Sequence, residues 1–219
     1  MKFRKEKIIK VLKILKKEFK KFEKPTVRRT SEKNDPFKTL ISCLLSLRTQ
    51  DKNTAKASSQ LFAIADTPEK IVKLPTKRLE KLIYSSGYYK NKARTIKHVS
   101  KTLIEKYNGK VPDNEKELLS IKGIGRKTAN IVLAFAFKKA VIPVDVHVHV
   151  IANRLDFVKT KNPEQTEQEL MKIIPKKYWR ELNTLFVLFG QKICVTISPF
   201  CSKCPVKRLC PRTGVVRNR

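Results

Sequence analysis

Gly123-Ile124-Gly125 constrains this chain more than any other stretch, because it places two of only six glycines among 219 residues within three positions. An apolar segment (Leu118, Leu119, Ile121) runs into it, and the helical pattern Ala129, Ile131, Val132, Ala134, Phe135 follows. That order predicts helix, tight turn, helix. Glycine admits positive φ and close backbone approach, and the first amides of a helix have no partner within it and carry partial positive charge. The corner is either a plain αα-turn or an anion site, with a phosphate on the amides around Gly123, Ile124 and Gly125 and with Lys122 and Arg126 flanking it. Lys127 falls at the start of the second helix, where it could project toward whatever the corner holds.

Helical spacing of apolar residues recurs along the rest of the chain, and no segment alternates convincingly as a strand, so the expected fold class is all-α. Met1 to Phe22 carries Ile8, Leu12, Leu15, Phe19 and Phe22 on one stripe. Residues 24–34 read as a polar connection. Asp35-Pro36 then supplies a cap and a first-turn proline for a helix with Phe37, Leu40, Ile41, Leu44 and Leu45 inward, and Cys43 on that face is a core thiol. The polar cluster 46–51, with Arg48 and Gln50, suits a loop facing nucleic acid. A helix through Ala57, Leu61 and Ile64 follows, and Thr67-Pro68 and Leu74-Pro75 each restart a short one. Gly87-Tyr88-Tyr89 breaks the pattern before a helix over 93–107, and Asn114 caps the helix leading to the glycine corner. Ile142 to Val150 alternates, but its proline, Pro143, favours an extended approach to a helix with Asp145 near its start. Helices over 163–173 and 177–193 complete the chain, with Trp179 a core residue.

A core is affordable at 41% apolar residues, in one large or two small domains. Fifty Lys and Arg against 19 Asp and Glu give a net charge of +31, which points to a polyanionic partner unless it only solvates the surface. No run of eighteen apolar residues exists to cross a membrane. Glu6, Glu18 and Glu23 argue against a targeting helix at the N-terminus, so the expected location is the cytoplasm.

Four of five cysteines fall within 194–210, spaced Cys194-x6-Cys201-x2-Cys204-x5-Cys210. Without a sign of an oxidising compartment, such a group suits a metal better than disulfides. Four thiolates fit tetrahedral zinc or an iron–sulfur cluster. One Cys-x2-Cys knuckle with two wider steps allows something larger than a single ion. His147 and His149 have no partners at metal-ligand spacing.

Taken together, the run 118–130 (Leu-Leu-Ser-Ile-Lys-Gly-Ile-Gly-Arg-Lys-Thr-Ala-Asn), Val144-Asp145-Val146-His147, Gly87-Tyr88-Tyr89 with Lys92-Ala93, and the cysteine spacing resemble the endonuclease III family of DNA glycosylases, within the helix-hairpin-helix superfamily. The likeness covers essentially the whole chain. It implies a two-lobed, all-helical protein: a six-helix barrel over 29–139 containing a helix-hairpin-helix at about 114–138, and a second lobe of 1–28 with 140–219. It also implies a 4Fe-4S cluster on Cys194, Cys201, Cys204 and Cys210, with double-stranded DNA across the cleft between the lobes of a monomer. Lys127 matches the family's catalytic lysine and Asp145 its catalytic aspartate. Arg48 stands where the family has a DNA-inserting glutamine, and Tyr88 where it has a leucine wedge. Expected DNA contacts are Lys122, Gly123, Ile124, Gly125, Arg126, Arg48, Gln50, Tyr88, His147, Lys203 and Lys207.

The activity this resemblance implies is removal of oxidised pyrimidines from duplex DNA through a lysine Schiff base, followed by β-elimination 3′ to the abasic site. A base inside a duplex is out of reach, so the nucleotide must be extruded and the gap filled. A mismatch-directed glycosylase for thymine or adenine is the alternative within enzymes. A non-catalytic helix-hairpin-helix DNA-binding protein is the alternative outside them, but it would not need both Lys127 and Asp145.

Overall fold

In the computed structural model residues 2–219 are described, with side chains from Arg4 onward; Met1, expected to open the first helix, lies outside them. Every regular element among the described residues is helical, and no helix there is long and apolar enough to cross a membrane. The chain divides into two compact units, Pro25–Lys139 and the segment ending at Lys24 together with Ala140–Arg219.

The 25–139 unit is built from α2 (Thr26–Ser31), α3 (Pro36–Ser46), α4 (Asp51–Phe62), α5 (Pro68–Lys73), α6 (Thr76–Leu82), α7 (Tyr89–Tyr107), α8 (Glu115–Ser120) and α9 (Arg126–Phe135). Helix α3 is its hub and packs against α2, α4, α7 and α9. Its sequence explains that position. Asp35 accepts the Lys38 amide at 2.9 Å, Pro36 fits the first turn, and Phe37, Leu40, Ile41, Cys43, Leu44 and Leu45 are all buried. Thr67 and Asn114 cap α5 and α8 as the sequence predicts.

Three expectations need correction in this unit. The polar connection at 24–34 contains helix α2. It has little apolar periodicity because a side-chain clamp holds it: Thr26 donates its amide to Asp51 Oδ1 and its hydroxyl to Asp51 Oδ2, each at 2.9 Å. Helix α7 starts at Tyr89, four residues before the expected Ala93, since the polar run 90–92 hides the first turn. Helix α4 ends at Phe62, leaving Ile64 exposed.

The other unit comprises α1 (Lys2–Phe19), α10 (Val146–Arg154), α11 (Pro163–Ile173) and α12 (Trp179–Lys192). Ile8, Val11, Leu12, Leu15 and Phe19 on α1 meet Leu182, Leu185, Phe186 and Phe189 on α12 in one core. Phe22, expected within the first helix, lies past its end and packs its ring on Phe19 at 5.5 Å. Pro175 imposes a 3₁₀ turn, Lys176–Tyr178, ahead of α12, so that helix begins two residues later than the apolar pattern suggests. Trp179 is buried and donates to Ile174 O at 2.8 Å. The extended approach to α10 is fixed by Asn183, whose amide nitrogen donates to Pro143 O at 2.8 Å.

Candidate functional site

The corner between α8 and α9 uses its two glycines for different reasons. Gly123 has φ 101°, and a Cβ there would lie 2.6 Å from Thr95 Cγ2 on α7, so this glycine serves the fold. Gly125 is the N-cap of α9 in ordinary extended conformation, φ −93° and ψ 170°, with no side-chain cap. A Cβ on it would meet nothing within 4 Å. The start of α9 therefore has no capping side chain and open space beside Gly125, the arrangement that accepts an anion.

The two flanking cations are held differently. Lys122 is exposed as expected. Arg126 pairs with Glu115 at 3.1 Å, tying the starts of the two hairpin helices together. Ile124 is a core residue, 5% exposed, and its amide donates to Ile121 O at 3.0 Å.

Lys127, the second residue of α9, is half-buried. Behind it α9 turns Thr128, Ala129, Val132 and Leu133 into the core against α3. Cys43 on α3 is fully buried, and desolvation pushes its thiol up, opposed by the positive charge of Lys127 and a hydrogen bond with Thr128.

Arg48 and Tyr88 come together in this unit. Both are exposed and left-handed, at φ 50° and 58°, and the Arg48 guanidinium carbon lies 5.8 Å from the centre of the Tyr88 ring. Gln50 is exposed too and forms the N-cap of α4 through its backbone, with no side-chain cap. Tyr89 packs its ring, tilted by 57°, against that of Tyr84 at 5.0 Å.

In the other unit Asp145 caps α10, one carboxylate oxygen accepting the Val148 amide at 2.9 Å. His147 follows on the first turn, and its ring occupies the place of a missing side chain: a Cβ on Gly190 would lie 2.7 Å from His147 Cγ. His149 hydrogen-bonds through Nδ1 to Thr166 Oγ1 at 2.7 Å.

All four C-terminal cysteines line one apolar cavity of about 400 Å³, counted with its open mouth, together with Phe189, Phe200 and Arg154. Burial pushes up the thiols of Cys194 and Cys210, and that of Cys204 to about 11, with the neighbouring cysteines adding to the rise. No three His, Cys, Asp or Glu side chains among the described residues stand together as a single-ion site. Lys203 and Lys207 are exposed on this loop.

Two residues of consequence escaped the sequence reading as individuals. Arg154, 8% exposed, donates to Val195 O at 2.8 Å and Thr196 O at 2.6 Å, and its guanidinium lies 3.5 Å from Cys194 Sγ. Lys92 is equally buried, on the inner face of α7. Its register was the available signal, because it shares a stripe with Ile96, Val99 and Leu103.

Comparison with known proteins agrees with this layout. The model of the HhH-GPD superfamily base excision DNA repair proteins matches residues 41–176. Endonuclease III of Thermotoga maritima is 47% identical over 196 residues, spanning 87% of this chain and 92% of that one. Endonuclease III of Escherichia coli K12 is 36% identical over 183 residues, spanning 83% and 87%. A trapped endonuclease III–DNA covalent intermediate superposes with TM-score 0.83 at 36% identity, over 95% of this chain and 96% of that one. A thermostable thymine-DNA glycosylase superposes with TM-score 0.82 at 25% identity, over 94% and 96%. The all-helical architecture, the glycine hairpin and these identities over most of both chains lead to one conclusion: the chain belongs to the endonuclease III family of the HhH-GPD superfamily of base excision DNA repair proteins.

Proposed function

We propose that Lys127 is the nucleophile of this enzyme, that Asp145 assists it, and that oxidised pyrimidines in duplex DNA are the substrate. As an endonuclease III, the protein is a bifunctional DNA glycosylase and AP lyase of base excision repair. The observation that carries the assignment of Lys127 is the similar enzyme trapped covalently on DNA. Such a bond needs a nucleophile, and here an amine stands at the second residue of a helix whose first amides are open to a phosphate.

The steps follow from amine chemistry. The neutral Lys127 amine attacks C1′ of the deoxyribose, and the glycosidic bond breaks with its electron pair leaving on the base, which takes up a proton. The attached nitrogen then gives up one proton, and its lone pair forms the C1′=N bond of a protonated Schiff base as the C1′–O4′ bond breaks and O4′ takes up a proton. Loss of a C2′ proton then breaks the C3′–O bond, the phosphate leaves with its electrons, and water releases Lys127. Asp145 would accept a proton from the attacking amine or stabilise positive charge at the sugar. Its cap to Val148 fixes the side chain for that task. Phosphates flanking the lesion would rest on the open amides at Gly125, with Lys122 close by, and Lys203 and Lys207 would meet others. Arg48 and Tyr88 would fill the gap left in the stack.

Cys194, Cys201, Cys204 and Cys210 would hold a 4Fe-4S cluster. Their fit is supported by one shared cavity without a single-ion site, since zinc needs every sulfur about 2.3 Å from one point. When bound, the cluster would cross-link the C-terminal loop and neutralise four crowded thiolates. The enzyme would act in the cytoplasm, on the DNA of the nucleoid.

Borohydride trapping tests the central claim. Wild type should form a covalent adduct with DNA bearing an oxidised pyrimidine, and Lys127→Ala should not; an adduct retained by the variant rejects the assignment. The thymine-DNA glycosylase likeness supports a second reading, excision of mismatched thymine, which a G·T duplex in the same assay would reveal.

A further inference from the structure

Lys92 sits in the first turn of α7 and is only 8% exposed. An ammonium in that position costs folding energy unless its protons are all bonded. Lys92 Nζ offers its three protons to four acceptors within hydrogen-bond distance, Leu45 O at 2.7 Å, Leu47 O at 2.6 Å, Thr49 Oγ1 at 2.8 Å and Ser86 Oγ at 2.8 Å. All four partners are neutral oxygens, and they come from two separate segments, the end of α3 with its following loop, and the loop before α7. Burial pushes the amine down to about 8.

The two segments are also joined directly. Ser86 Oγ donates to Leu45 O at 2.9 Å, and the Gly87 amide donates to Thr49 Oγ1 at 3.0 Å. Their backbones lie so close that a Cβ on Gly87 would come within 3.0 Å of Arg48 O. On top of this junction sit Arg48 and Tyr88, both non-glycine residues in the left-handed region and in cation–π contact with each other. Each such conformation costs about 1 kcal/mol or more and persists only where the surroundings enforce it. The enforcing element here is the Lys92 ammonium, which reaches Leu47 and Thr49 on either side of Arg48, and Ser86 two residues before Tyr88. An apolar side chain would fill the same register in a core; only a charged donor can gather four loop oxygens.

We propose that Lys92 is a positioning residue for base extrusion, clamping the Arg48 and Tyr88 loops into one rigid pair that enters the base stack together. This rests on the reading of Arg48 and Tyr88 as the gap-filling residues. The benefit is preorganisation: two loops ordered during folding need not be ordered on DNA.

The test uses the full-length enzyme and two readouts. A 2-aminopurine beside the lesion in duplex DNA reports extrusion by stopped-flow fluorescence, and borohydride trapping on a single-stranded abasic oligonucleotide reports chemistry that needs no gap filling. Lys92→Met should slow extrusion by about ten- to a hundredfold, as expected for a misplaced positioning group, while changing single-strand trapping by less than about twofold. Lys92→Arg should recover part of the loss. Equal slowing on both substrates, or none on the duplex, overturns the inference. Should Lys92→Met not fold, Thr49→Ala and Ser86→Ala decide the matter, because each removes one clamp oxygen outside the apolar core; duplex-only slowing supports the clamp and unchanged extrusion rejects it. Arg48→Ala and Tyr88→Ala separate the two layers. If they leave extrusion unchanged, the gap-filling reading fails; if they slow it and the clamp variants do not, the clamp alone fails.

Discussion

Helices α9 and α10 begin in opposite ways. The first opens on Gly125, with no capping side chain and free space where a Cβ would stand. The second opens on Asp145, whose carboxylate accepts the Val148 amide. An open helix start keeps its amides and their partial charge for an external anion, whereas a closed one spends them on holding its own side chain still. Each suits the residue proposed to react there: Lys127 needs a DNA backbone delivered to it, and Asp145 needs to be held in one orientation.

Exchanging or removing these features should separate the two designs. The largest effect is expected from the carboxylate itself. Asp145→Asn keeps a good cap, so thermal unfolding should change little, while single-turnover base release slows by about a hundredfold or more; a variant with near-normal turnover would show that only the cap matters. Asp145→Ala should lose the same activity and, in addition, about 1 kcal/mol of stability in denaturant unfolding. Closing the open start is the converse change. Gly125→Ser introduces a cap into free space, so stability should move by only a few tenths of a kcal/mol, but duplex affinity should fall about tenfold as the amides gain an internal partner. Gly123→Ala, two residues earlier, should do the reverse, destabilising the fold by about 1 kcal/mol or more through its positive φ and Thr95. A filter-binding titration alongside thermal unfolding distinguishes the two glycines.

The smallest effect concerns His149 on α10. Burial pushes its imidazole below the ordinary value of 6.5, opposed by Glu164, so the folded chain favours the neutral ring. That contribution is present above pH 6.5 and is lost as pH falls below it, because the unfolded chain then binds more protons. The stability advantage of wild type over His149→Gln should therefore shrink between pH 7.5 and pH 5.5 in thermal unfolding.

Much of this was legible before any coordinates. Periodicity marked the long helices, and Asp35, Thr67 and Asn114 announced their caps, because apolar spacing and capping are local in sequence. Clustered cysteines and a rare glycine pair marked two places of chemical interest for the same reason. Other features were hidden. Helix α2 depends on Asp51, 25 residues from Thr26, and the turn bond from the Ile124 amide to Ile121 O is one that no composition reveals. Arg126 reads as a free cation until Glu115 is found beside it.

What the sequence determined by itself was the helical class, the hairpin at Gly123 and Gly125, the identity of the reactive lysine and carboxylate candidates, and the four-thiol loop. The tertiary structure decided that one glycine serves packing while the other leaves space open, and that Lys92 lies buried beneath Arg48 and Tyr88. The physical reason is one of range: residue type and spacing fix what a segment can form, but burial and hydrogen-bond partners are set by segments distant in the chain, and they determine which amides and side chains remain available for DNA.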